Sequence, residues 1–344
     1  MTIPATPASL VPINITIKTS GGAVRTLQDV LFGQVYICSG QSNMELPVYA
    51  TLNATSNVAA AGTHGAGLRI MMVALLDVYD NVSTPQTNLT AAIPWSRPSA
   101  ANVPGMSALC YYFGVEMVTK HPEMPVGLIA SSWGGTAVEV WMSPAALASC
   151  GELVGGTTPD LGPRPADPGL AYLRSSTVGG LNVDFGGGVP QVKSTLWNTM
   201  MAPMIPLKVE GFLWYQGESN AGRPESYGLC FPAMISQWRD AWGQGATPFI
   251  FVQLAPWPDH DVEVISGTRY AQLKALKLPV VGMVVTADIG DPAGDCAPTP
   301  LPPSSPLYIA TTLPPATDCH MQNSSAALAQ RTAIYFAAHI LTVS

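Results

Sequence analysis

Five short apolar runs constrain the fold of this chain more tightly than anything else in it. Val35–Cys38, Val126–Ala130, Gly211–Tyr215, Pro248–Leu254 and Val280–Thr286 each end in small or polar residues, with helix-length stretches between them. A strand covered on both faces shows a continuous apolar run rather than alternation, and such strands belong to parallel sheets flanked by helices. The runs therefore predict an α/β domain around a central parallel sheet. Helices are expected at Ser107–Thr119, Tyr227–Trp242, Thr268–Lys277 and Ser324–Leu341. The last carries Ala327, Leu328, Ile334, Tyr335 and Ala338 at helical spacing.

The first thirty residues follow another rule. Ile13, Ile15 and Ile17 alternate with polar residues, and Ser20-Gly21-Gly22 supplies a turn, so residues 13–30 read as a hairpin. A lone hairpin is marginal in water. Residues 1–30 are therefore taken as the remnant of an N-terminal β-rich region, and residues 31–344 as one enzyme-sized domain. Two surface excursions interrupt that domain. Residues 151–190 are rich in Gly and Pro, and residues 292–317 contain PTPLPPSSP and TLPPA, which form no regular element.

Charge narrows the range of partners. With 15 Lys and Arg against 22 Asp and Glu, the net charge is −7 and no basic patch for nucleic acid is expected. Apolar types make up 47% of the chain, yet no apolar run reaches the length of a membrane span. The N-terminus lacks both the basic and the apolar region of a signal peptide. Five N-x-S/T sequons, at Asn14, Asn53, Asn81, Asn88 and Asn323, nonetheless suggest a secreted or lysosomal glycoprotein. The six cysteines contain no CxxC pair, so a zinc site is not expected, and nothing else in the sequence calls for a cofactor. An even number allows disulfides, with 15 full pairings possible, or buried free thiols.

Ligands of an open parallel sheet bind beyond the carboxyl ends of its strands. The polar clusters of this chain fall there: SGQSNM (39–44), SSWGGTAVEVW (131–141), QGESN (216–220) and ADIGD (287–291), followed after the Pro-rich excursion by DCH (318–320). Ser42 follows a strand through Ser39-Gly40-Gln41. A tight turn there exposes its hydroxyl, as an acyl-transfer nucleophile requires; the competing role is a helix cap. The GxSxG elbow of α/β-hydrolases is absent around Ser42. A nucleophilic serine needs a base with an orienting acceptor. Among His64, His121, His260, His320 and His339, only His320 follows the last strand with an aspartate, Asp318, two residues before it. Gly134-Gly135 offers unobstructed backbone donors for an oxyanion, or else an ordinary turn. Gln216 and Asn220 are side-chain donors, and Glu218 is either a second acid or a buried structural carboxylate. Trp133, Trp214 and Trp257 either stack on a sugar or pack in the core.

Taken in order, these segments resemble the sialate O-acetylesterase family of SGNH hydrolases. The match runs through LQDVLFGQVYICSGQSNMELPV, VGLIASSWGGTAVEVWMSP, TLWNTMMAPMIPLKVEGFLWYQGESN, FPAMISQWRDAWG, PFIFVQLAPW and VGMVVTADIGD, across most of residues 27–291. The resemblance implies a flavodoxin-like three-layer α/β/α sandwich and metal-free hydrolysis of acetyl esters on a sugar or glycan. It places the nucleophile at Ser42. The oxyanion donors would be the Ser42 amide, the Gly135 amide and the Gln216 side chain, with Asn220 as the substitute. It carries the base to His320 and its orienter to Asp318, with Asp291 and Asp295 as other orienters. Here the chain departs from the family. A DIHP-like segment normally follows the aspartate-rich block closely, whereas here about two dozen residues intervene and Met321 replaces the proline. Cys296 and Cys319 flank that excursion, and a disulfide between them would return His320 to the strand end.

Three functions are compatible with this reading. They are a sialate 9-O-acetylesterase, an esterase for another acetylated carbohydrate such as xylan, and an inactive glycan-binding protein if the excursion misplaces His320. A sialate carboxylate calls for an arginine, and Arg69, Arg97, Arg223 and Arg269 are the candidates.

Overall fold

The computed structural model describes residues 3–76, 82–152, 157, 177–178, 181–182, 189–255, 262–286, 332–333 and 336–337. The chain opens with β1 (Ser9–Lys18) and β2 (Val24–Phe32), an antiparallel pair that forms a sheet of its own. The turn between them is closed by a hydrogen bond from Thr19 N to Ala23 O. The isoleucine alternation marks a strand, but not a half-buried one at every position, because Ile13 is exposed. Asp29, on β2, ties the hairpin to the main domain through Arg69 and Arg97.

The main sheet has seven strands in the order β11-β10-β9-β3-β6-β4-β5. They are β3 (Gln34–Gly40), β4 (Leu68–Val73), β5 (Ala91–Ser96), β6 (Val126–Ser132), β9 (Gly211–Tyr215), β10 (Phe249–Val252) and β11 (Val281–Val284). Two short strands, β7 (Thr177–Val178) and β8 (Leu181–Asn182), pair apart from it. The five expected strands all appear within the main sheet, and β4 and β5 are added beyond them. All pairings are parallel except β4 with β5. β5 carries Pro94, which an antiparallel edge strand tolerates because its missing N–H breaks no central ladder.

Alternation along the strands builds the layers. Tyr36 and Cys38 point to one side of β3 and Ile37 to the other; Leu213 and Tyr215 oppose Phe212 and Trp214 on β9. Each set joins its own fully buried cluster. The first packs against α3 (Ala108–Lys120), where the Ser107 hydroxyl caps the helix by accepting from Cys110 N. Ala333, Phe336 and Ala337 are buried in the same cluster. The second packs against α5 (Pro224–Trp242), whose Phe231 and Trp238 rings surround Trp214. Sheet and two helical layers make the α/β/α sandwich.

Disulfides staple both faces. Cys38 of β3 is bonded to Cys110 of α3, and Cys150, which ends α4 (Pro144–Ser149), is bonded to Cys230 of α5. Closing a loop with a sequence separation of 72 stabilises by about 4 kcal/mol in the chain-entropy treatment. Cys296 and Cys319 lie outside the described residues.

Candidate active site

The site is built where β3, in the middle of the sheet, ends between β9 and β6. Gly40 pairs with Tyr215 on one side and Ser132 on the other. A Cβ on Gly40, at φ 141°, would lie 2.1 Å from the Tyr215 carbonyl oxygen, so only glycine fits. Gln41 N donates to that same carbonyl at 2.9 Å. The buried Gln41 side chain then accepts from Gly217 N at 3.3 Å and Ser219 N at 3.2 Å, tying the turn after β3 to the turn after β9. Ser42 is the first residue of the short helix α1 (Ser42–Glu45) and is partly exposed. The N-cap position is Gln41, and no side chain caps this helix, so capping does not account for Ser42.

After β6 the chain turns through Trp133-Gly134-Gly135-Thr136. Trp133 N donates to Gly40 O at 3.0 Å, and the Thr136 hydroxyl donates to Trp133 O at 2.6 Å, which closes the turn. Gly135 takes φ 79°, the left-handed region that glycine enters without strain. The amide of Gly134 donates to Glu45 Oε2, so of the two glycine amides it is Gly135 that is not engaged by Glu45. Glu45 and Ser132 share a crevice with Pro47, Met72, Val73 and Leu75, whose walls are mainly apolar.

The QGESN turn is the most densely bonded part of the site. Gln216 Nε2 donates to Asn220 Oδ1 at 2.7 Å and to Thr136 O at 3.2 Å. Asn220 Oδ1 also accepts from Val138 N at 2.9 Å, and its Nδ2 donates to Glu139 Oε2 at 2.9 Å. The carboxylate only accepts, which fixes the Asn220 amide with nitrogen toward Glu139 and oxygen toward Gln216. Gln216 and Asn220 therefore sit together, fully buried, and brace the turns after β6 and β9 against each other. Asn43 Nδ2 donates to Glu218 Oε1 at 2.7 Å, so Glu218 anchors the turn that carries Ser42.

Glu139 is fully buried, and its charge is met by Arg223 Nη1 at 2.6 Å. Removing one partner of such a pair strands the other charge. Arg223→Met is expected to destabilise the fold by about 3 kcal/mol. The loss would appear as a lower urea midpoint with unchanged slope. Adding Glu139→Gln to that variant should recover part of the loss, because a neutral amide needs no countercharge. Identical midpoints for wild type and Arg223→Met would refute the pairing as a stabilising element.

The other sequence candidates separate cleanly by position. His64 ends the turn leading into β4, and His121 follows α3 before β6, so both lie toward the amino ends of the strands, away from Ser42. Burial pushes the His64 imidazole below its usual pKa. Arg69 and Arg97 are likewise at that far edge, committed to Asp29. Arg223 and Arg269 follow β9 and β10 on the Ser42 side. Trp133 and Trp214 belong to the buried core, so of the two roles open to them core packing holds. Trp257, His260, Asp291, Asp295, Asp318, His320 and His339 lie outside the described residues. The sequence reading missed Glu45 and Glu139. Glu139 had a faint signal, a lone acid in the apolar stretch AVEVW; Glu45 had none, because its partner is a main-chain amide.

Comparison with known proteins places this arrangement. The family model described as carbohydrate esterase, sialic acid-specific acetylesterase matches residues 32–153 and 177–295. The sialate O-acetylesterase of Rattus norvegicus is 31% identical over 311 residues, covering 80% of this chain and 54% of that protein. That of Homo sapiens is 33% identical over 260 residues, covering 72% of this chain and 43% of that protein. The crystal structure of a carbohydrate acetylesterase from Xanthomonas citri gives a TM-score of 0.67 at 30% identity, covering 97% of this chain and 63% of that one. The chain thus spans about half the length of the curated relatives it matches.

Proposed function

We infer the function from one premise: this chain belongs to the carbohydrate esterase family of sialic acid-specific acetylesterases. We propose that it hydrolyses the acetyl ester of an O-acetylated sugar, with sialate 9-O-acetyl groups as its substrate. One observation carries the proposal. Ser42, partly exposed, stands just past the carboxyl end of the central strand, whose neighbours β6 and β9 lead into the Gly134-Gly135 turn and the Gln216–Asn220 turn.

In this reading His320, oriented by Asp318, takes the Ser42 proton as the hydroxyl oxygen attacks the acetyl carbon. The oxyanion is received by the Ser42 and Gly135 amides and by a side-chain amide, Gln216 or Asn220. Both Gln216 amide hydrogens are engaged, whereas Asn220 has one beyond its bond to Glu139. Gln216 would therefore have to exchange a partner to act as the donor. The carbon–oxygen bond to the sugar breaks, and His320 returns the proton to the departing alcohol. Water then attacks the acetyl-Ser42 ester, His320 accepts its proton, and acetate leaves as Ser42 is regenerated.

Two disulfides, together with exposed sequon asparagines at Asn14, Asn53 and Asn88, support a secretory, lysosomal or extracellular location. Among the described residues no helix is long and apolar enough to cross a membrane. The substrate is tested by measuring acetate release from 9-O-acetyl sialic acid, acetyl-xylan and an aryl acetate. Preference for the sialate is expected. A preference for acetyl-xylan would move the assignment to the xylan reading, and no release from any of the three would leave a glycan-binding homologue.

A further inference from the structure

We propose that Glu45 is a positioning residue that couples the nucleophile turn to the oxyanion turn, an inference that rests on the esterase reading above. Glu45 lies three residues after Ser42 in the four-residue helix α1, so both side chains project from neighbouring positions of the same turn. Its carboxylate crosses from that turn to accept the amide of Gly134, 89 residues away in the chain. A hydrogen bond to an ionised acceptor is about twice as strong as a neutral one, and a carboxylate offers acceptors only. The Gly134 amide is thereby held toward Glu45, and Gly135 follows it at φ 79°.

The ends of the oxyanion turn are fixed by other means. Trp133 N continues the ladder onto Gly40 O, and the Thr136 hydroxyl closes the turn on Trp133 O. Neither bond reaches α1 itself; the first stops at Gly40, ahead of Gln41 and Ser42. Asn43 and Gln41 tie that segment to the turn after β9 instead. Glu45 supplies the direct side-chain link from the Ser42 helix to the glycine pair. It therefore sets the distance between attacking oxygen and oxyanion donor without touching the reacting atoms. An error of ~1 Å in such a distance costs about 10²-fold in rate.

The test compares Glu45→Ala and Glu45→Gln with the wild type, using an aryl acetate, thermal unfolding and the amide resonance of Gly134. Glu45→Ala is expected to lower kcat about 10²-fold with KM changed less than about threefold, the pattern of a lost transition-state interaction. Its Gly134 amide should exchange with solvent faster. Glu45→Gln keeps an oxygen acceptor and should stay within about tenfold of wild-type kcat with the Gly134 amide still protected. If Glu45→Ala does not fold, the glutamine variant alone decides. A folded Glu45→Gln protein as impaired as that expected for alanine, or a Glu45→Ala protein with wild-type kcat, overturns the proposal. A wild-type protein that hydrolyses no ester would instead overturn the esterase reading, and the two failures are distinguished by that control.

Discussion

Ser42→Ala is expected to lower kcat at least roughly 10³-fold, the scale on which loss of a triad nucleophile is felt. The expected loss is chemical because little structural change accompanies it. Ser42 is not the cap of α1, so alanine removes no capping bond, and alanine is the best residue for a helical position. The bonds that hold the turn belong to its neighbours: Gln41 to Gly217 and Ser219, Asn43 to Glu218, and Glu45 to Gly134. All survive the substitution. Circular dichroism and the unfolding midpoint should therefore match the wild type while turnover of acetyl ester disappears. Retained turnover in a folded Ser42→Ala protein would remove Ser42 from the chemistry.

His320→Ala is expected to cost about as much, roughly 10³-fold in kcat, since a serine hydroxyl without a base is a weak nucleophile. The structure narrows the choice among five histidines by placing His64 and His121 toward the opposite edge of the sheet. His260, which follows the β10 segment in the sequence, is the natural control. Its alanine variant should stay within about threefold of wild type, because nothing in the proposed proton transfer uses it. The wild-type kcat/KM should rise with pH through an inflection as the base loses its proton and becomes competent. In His320→Ala that inflection should vanish. The test matters because the family match ends at residue 295, near the start of the Pro-rich excursion that precedes Asp318 and His320. Full activity in His320→Ala with loss in His260→Ala would transfer the role of base to His260.

The fold could be read from the sequence where burial left a continuous apolar run. Tyr36–Cys38 and Phe212–Tyr215 alternate between two buried faces, so they show no polar side and stand out as central strands. β4 and β5 did not stand out. Arg69 interrupts the start of β4 yet is itself nearly buried, its guanidinium bonded to Gly65 O, Leu68 O and Asp29. Pro94 makes β5 look like a break, and only the antiparallel edge position makes it tolerable. The cysteines show the limit of spacing arguments. Cys38 meets Cys110 because a helix lies over a strand, which no count of intervening residues encodes.

The candidate site divides along similar lines. The candidates Ser42, Gln216 and Asn220 were chosen from residue type and strand-end position, and the structure brings their turns together at the carboxyl edge of the sheet. Their supports were not identifiable that way. Glu45 acts on a main-chain amide, and Glu139 acts through Asn220 and Arg223; in both cases the partner is remote in sequence and has no distinguishing residue type. The tryptophans could not be assigned to one role from sequence for the converse reason. Trp133 and Trp214 sit beside polar motifs in sequence, but alternation along β9 points Trp214 into the buried core and Trp133 joins it from the turn after β6.

The central claim is that Ser42 forms a covalent acyl-enzyme, and an active-site-directed fluorophosphonate tests it most directly. The wild-type protein should lose esterase activity in step with incorporation of one phosphonyl group, and peptide mapping should place that group on Ser42 within GQSNM. Ser42→Ala should take up none. Stoichiometric inactivation with the label on another residue, or full activity in protein labelled at Ser42, would contradict the account.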